Sequence, residues 1–220
     1  MDSARHSEDI WAHLARLHPR LCPRQVLGIR IGQYAGELLG VALPCSNKQL
    51  LAFVETDGCF ADGVSVATGC WLGHRTLCHV DYGKVAASFV DLRTDRAVRV
   101  WPDPRARMLA DRAVPGAASR WHAQLEAYRT LPAVELLRTS DVVLTKVVAA
   151  AVGRPGERAA CATCGEEILN QRHVFREGAI LCRSCGGAPY LTYTRGEASD
   201  CGVLPEEANA PRELARAVSR

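Results

Sequence analysis

Residues 50–101, LLAFVETDGCFADGVSVATGCWLGHRTLCHVDYGKVAASFVDLRTDRAVRVW, decide the fold. Residues 50–56 are a short apolar run that reads as a buried strand. Residues 59–68 predict a short helix closed by Gly69. Residues 76–80, 85–92 and 96–101 read as three strands, with turns at Asp81-Tyr82-Gly83-Lys84 and Arg93-Thr94-Asp95. With a helix ahead of residue 50, the order is helix, strand, helix, three strands. That order implies an α+β fold: one mixed sheet covered by helices. The same stretch holds Cys59, Cys70, Cys78, His74 and His79. Cysteines eleven positions apart make no zinc motif alone, so their meaning depends on what folds against them. Cys22 is the best candidate.

Upstream, Ile10, Trp11, Leu14, Leu17 and Leu21 share one helical face over residues 8–18, and Pro19 ends or bends that helix. Cys22-Pro23 opens a second helix, about 23–40, with proline at a favourable first position. Its dipole and free N–H groups favour a thiolate at Cys22. Gly28, Gly32 and Gly36 recur in steps of four. Each glycine costs a helix about 1 kcal/mol against alanine, so the stripe predicts another backbone packed very close. Downstream, Pro102 and Pro104 break the pattern. A helical stretch at about 118–137, interrupted at Pro132, precedes a strand at 141–150. The first domain is therefore expected at 1–152. Gly153, Pro155 and Gly156 form a linker, a small unit follows at 157–192, and 193–220 is a polar tail.

The small unit carries Cys161-x2-Cys164 and Cys182-x2-Cys185, seventeen residues apart. Each CxxC turn points two sulfurs at one ion, and the hairpin between them, around Gly178, brings the turns together. Four thiolates then complete the tetrahedral shell of a structural Zn²⁺, with no position left open. A unit of this size buries too little apolar surface to fold alone, so metal binding must supply the folding energy.

Ten cysteines in a chain whose first residues, MDSARHSEDIW, lack a signal-peptide core read as metal ligands before disulfides. No run of about 18 uncharged apolar residues spans a membrane. The expected location is the cytoplasm. A net charge of +3 and four arginines against five acids in the tail argue against nucleic acid as a partner. Lysine occurs only at positions 48, 84 and 146, which makes Lys84, in its turn, a candidate anion holder.

Several motifs together resemble the FmdE family, named for one of the components of formylmethanofuran dehydrogenase. They are His18-Pro19-Arg20-Leu21-Cys22-Pro23-Arg24, Cys59-Phe60-Ala61-Asp62-Gly63, Gly69-Cys70-Trp71-Leu72-Gly73 and Asp81-Tyr82-Gly83-Lys84, followed by the zinc ribbon. Arg20 stands where the family has a second histidine, Arg24 where it has glycine, and Trp71 where it has threonine. The resemblance implies a dimerising α+β domain, a His/Cys cluster able to hold a second metal, and association with a molybdenum or tungsten enzyme. On it, His18, Cys22, Cys59 and Cys70 are the expected second-metal ligands, a set suited to Zn²⁺ or Cu(I). The alternative is an enzyme with Cys59 or Cys22 as nucleophile and Lys84 binding a small anionic substrate, in sulfur transfer or carbonyl chemistry. Asp62 reads either as an acceptor orienting a ligand histidine or as a helix cap, and Tyr82 as packing.

Overall fold

A computed structural model describes residues 3–18, 20–144 and 156–191. The chain divides into two compact units, Met1–Val152 and Gly153–Arg220. The expected tail, 193–220, lies outside the described residues.

In the first unit, α1 (Ser3–Leu17), α2 (Pro23–Leu39), β1 (Leu50–Val54), α3 (Cys59–Thr68) and β2 (Leu77–His79) come first. Then follow β3 (Ala87–Asp91), β4 (Ala97–Pro102), α4 (Ala106–Ala113), α5 (Arg120–Thr130), α6 (Ala133–Leu136) and β5 (Leu137–Asp141). The sheet runs β2-β1-β3-β4-β5. β1 and β2 are parallel, with α3 as their crossover, and the other neighbours are antiparallel. This is the mixed α+β sheet the sequence implied. β1 is buried along its whole length, as its unbroken apolar run requires.

Two elements differ from expectation. The last strand is Leu137–Asp141, whereas the sequence pointed to 141–150. Leu137 is buried opposite Pro102, so the register is anchored before the valines that suggested a strand, and Val143 is 94% exposed. Residues 145–150 lie outside the described residues. Helix α4 was not anticipated after the two prolines. It starts once Asp103 accepts hydrogen bonds from the backbone N–H and guanidinium of Arg105, and it buries only Ala106 and Ala110.

α2 and α3 pack through glycine. A Cβ on Gly28 would lie 2.3 Å from the Phe60 carbonyl oxygen, and one on Gly63 would lie 2.2 Å from the Gln25 carbonyl oxygen. No side chain fits there, which accounts for glycine on both helices. Gly32 faces Thr68 and Ala67 of α3, whereas Gly36 faces Leu43 of the following loop. The glycine stripe thus meets a helix at one end and a loop at the other.

The second unit has two hairpins, β6 (Arg158–Ala160) with β7 (Glu167–Leu169) and β8 (Val174–Arg176) with β9 (Ala179–Leu181). No helix among the described residues is long and apolar enough to cross a membrane.

Candidate functional site

Cys22 is the N-cap residue of α2 and Cys59 the first residue of α3. The Gly28–Gly63 contact draws the two helices together, and both thiols line one cleft, near enough for Cys22 to act on Cys59 electrostatically. Burial pushes the Cys59 thiol up, and Cys22 pushes it further. The turn at Cys22 is fixed by Gln25, whose Oε1 accepts the Cys22 backbone N–H at 2.8 Å. Gln25 is fully buried, and its Nε2 finds no partner among the described residues.

One turn along α3, Asp62 pairs with His18, Oδ2 to Nε2 at 2.6 Å. Of the two readings of Asp62, the structure has the histidine contact. Asp62 stands one turn beyond Cys59 on α3, but neither His18 nor Asp62 lines the cleft that the thiols line, and Asp62 borders a different one.

Cys70 does not join them. It follows Gly69, the C-cap of α3, while Cys59 begins that helix. A helical rise of 1.5 Å per residue separates the two by about 16 Å. The Cys70 thiol is buried in the core and donates to the Leu50 carbonyl oxygen at 3.4 Å. Burial pushes it up, and the nearby thiols of Cys45 and Cys78 add to the shift. The expectation of a four-ligand cluster from His18, Cys22, Cys59 and Cys70 is thus corrected. Among the described residues, the group of three or more ligands close enough for one ion is in the ribbon. His74 and His79 are exposed and join no such group.

The Asp81–Lys84 turn is built by its own residues. Asp81 Oδ1 accepts the Gly83 N–H at 3.1 Å, Gly83 has φ 61°, and the N–H groups of Tyr82 and Lys84 both donate to the Glu55 carbonyl oxygen. Tyr82, expected to pack, is exposed, with the Lys84 Nζ 5.9 Å from its ring centre.

The two thiols and the end of this turn border one cleft of about 1040 Å³. Cys22, Cys59 and Lys84 all line it. Alternation along β4 sends Val98 and Val100 into the core and Arg99 and Trp101 to the cleft. Glu55, buried, holds Arg99 in a two-pronged pair at 2.6 and 2.7 Å, and the Arg99 guanidinium lies 4.9 Å from the Trp101 ring centre. Asp103, also buried, is held by Arg105 and Arg138. Bonds from Arg105 keep its carboxyl well below the usual carboxylate range. The sequence reading missed this wall of Glu55, Arg99, Trp101 and Asp103. The arginine between two core valines was its signal.

In the second unit, the Cys161, Cys164, Cys182 and Cys185 sulfurs lie within 4.8 Å of one another, and Cys164 and Cys182 are 4.0 Å apart. A Zn–S bond of 2.3 Å in a tetrahedron requires sulfurs about 3.8 Å apart, so the donor set fits Zn²⁺. The Cys182 N–H donates to Cys161 Sγ and the Cys185 N–H to Cys182 Sγ, both at 3.3 Å. Burial pushes Cys161 up, but backbone N–H groups of Cys164, Cys182 and Thr163 outweigh it and bring the thiol down to about 6.

Fold and site together define a two-unit α+β protein with a four-cysteine zinc finger and a separate thiol-bearing cleft. The family described as "FmdE, Molybdenum formylmethanofuran dehydrogenase operon" matches residues 17–138, and the prokaryotic dksA/traR C4-type zinc finger matches 154–190. The chain belongs to the FmdE family. It is 41% identical over 87 residues to a probable S-adenosyl-L-methionine-binding protein of Archaeoglobus fulgidus. That match spans 38% of this chain and 24% of the relative, about a quarter of the relative's length. The fold is also that of a tungsten formylmethanofuran dehydrogenase FmdE-like protein from Syntrophus aciditrophicus. Its TM-score is 0.55 at 23% identity, over 84% of this chain and 95% of the other.

Proposed function

We propose that the chain is a metal-handling accessory protein whose cleft binds a soft ion, Zn²⁺ or Cu(I) in class, through Cys22 and Cys59. The observation that carries this reading is two thiols on the wall of one cleft, at the starts of two helices fixed by glycine-to-glycine packing. Two sulfurs are too few to close a shell. The remaining positions stay open to a small ligand or to a group on a partner. Open sites of this kind hand ions over more readily than closed four-thiolate shells, because an incoming ligand has a place to attack.

The partner we propose is a metalloenzyme, in keeping with the operon in the family's description, with the protein acting as a homodimer in the cytoplasm. The raised Cys59 thiol speaks against Cys59 as a free low-pKa nucleophile, since a resting thiol attacks poorly.

Metal analysis of the full chain, loaded with Zn²⁺ or Cd²⁺ and washed, tests the reading. Two ions per chain are expected, falling to one in Cys22→Ser/Cys59→Ser. Equal metal content in both proteins would remove it.

A further inference from the structure

We propose that the cleft also takes a small ligand made of a flat aromatic ring and a phosphate group, bound by Arg24, Lys84 and Arg107 and by the ring of Trp121. The charges lead to this. Arg99 is neutralised by Glu55, and Asp103, the one acid among the lining residues, is neutralised by Arg105 and Arg138. Arg24, Lys84 and Arg107 also line the cleft, and among the described residues none of them has an ion-pair partner. Three cations without ion-pair partners among the described residues thus line one cleft. Three like charges around one concavity repel, and their field favours an anion there. A phosphate matches guanidinium and ammonium donors in number and geometry.

The aromatic residues supply the second half. Trp121 is 43% exposed at the cleft and Trp101 lies on its wall, backed by the Arg99 guanidinium. An exposed indole at Trp121 and a half-buried one at Trp101, beside these cations, suit a flat ring that carries charge at one end. A cleft of about 1040 Å³ has room for a molecule of cofactor size. This site uses the same cleft as the thiol pair but none of its sulfurs, so it stands or falls apart from the metal reading.

Binding of riboflavin 5′-phosphate and adenosine 5′-monophosphate to the full chain, each against its unphosphorylated nucleoside or flavin and against inorganic phosphate, tests it. Calorimetry is the readout. At least one phosphorylated ring should bind about tenfold tighter than both its parent and phosphate alone. Lys84→Ala and Arg107→Ala should each remove most of the gap to the parent. Trp121→Ala should weaken ring and phosphorylated ring by the same factor. Arg112→Ala, at an exposed arginine on the same helix as Arg107 but outside the cleft, should leave all affinities within about twofold. The tested surface residues are exposed, so their variants keep the fold. Failure of both phosphorylated rings to bind below about 1 mM would overturn the proposal. So would equal affinity for phosphorylated and parent ring, or phosphate alone binding as tightly as either.

Discussion

The ribbon and the cleft both gather cysteines, but by opposite means. In the ribbon, CxxC turns and one hairpin place four sulfurs together within 25 residues, Cys161 to Cys185. In the cleft, Cys22 and Cys59, 37 positions apart, come to one wall because the two helices they open are packed backbone to backbone. The first cluster needs its ion to hold its shape. The second is held by the core whether or not an ion is present. A ligand set can therefore be a cause of folding in one unit and a result of it in the other.

The largest expected effect tests the ribbon half of that contrast. Chelation, or Cys161→Ser, should abolish protection of amides in residues 156–191 while leaving that of α2 and β1 unchanged, as read by hydrogen exchange. Structural zinc supplies about 10–16 kcal/mol in small fingers, far more than so small a unit gains from apolar burial. Retained protection in the ribbon after chelation would erase the distinction.

Next comes the glycine contact. Gly63→Ala adds a methyl group where the Gln25 carbonyl stands, a backbone atom that cannot swing away. Overpacking costs about 3 kcal/mol and the better helix propensity of alanine returns about 1, for a net loss of about 2 kcal/mol. Thermal unfolding of the first unit should then occur about 4–8 °C lower. Metal bound in the ribbon should be untouched. A rise in Tm would mean that the helices part easily and do not set the thiol spacing.

The smallest effect concerns acid. The Asp103 carboxyl is held below its ordinary value near 3.9 by Arg105, Arg105's backbone N–H and Arg138. Its contribution is therefore present above the ordinary value and fades as pH falls through the lower folded value. Asp103→Asn should be less stable than wild type at pH 7, and the gap between the two should narrow as pH falls below about 4. Denaturation curves from pH 7 to 2 check this. A gap that stays constant with pH would assign Asp103 a packing role alone.

Much of the fold was legible because its signals are local. The β1 run, the Asp-Tyr-Gly-Lys turn and the glycine stripe each state a backbone need within a few residues. The last strand was placed too late because a valine-rich stretch outweighed Leu137, whose role depends on pairing with Pro102 far upstream. The ribbon was legible for the same local reason. Cys70 was misplaced although the predicted helix 59–68 already separated it from Cys59 by its own length. The Glu55–Arg99 pair joins two strands that are not consecutive in sequence, and no spacing rule reveals it.

The contact at Gly28 and Gly63 has one more consequence. Peptide groups touch peptide groups there, with no compliant side chain to act as a cushion. The opening between the two sulfurs then behaves like the jaws of a fixed gauge. Were the proposed ion to bind there, candidates would be sorted by radius, and a misfit would register as weaker retention because the scaffold does not reshape itself around a guest.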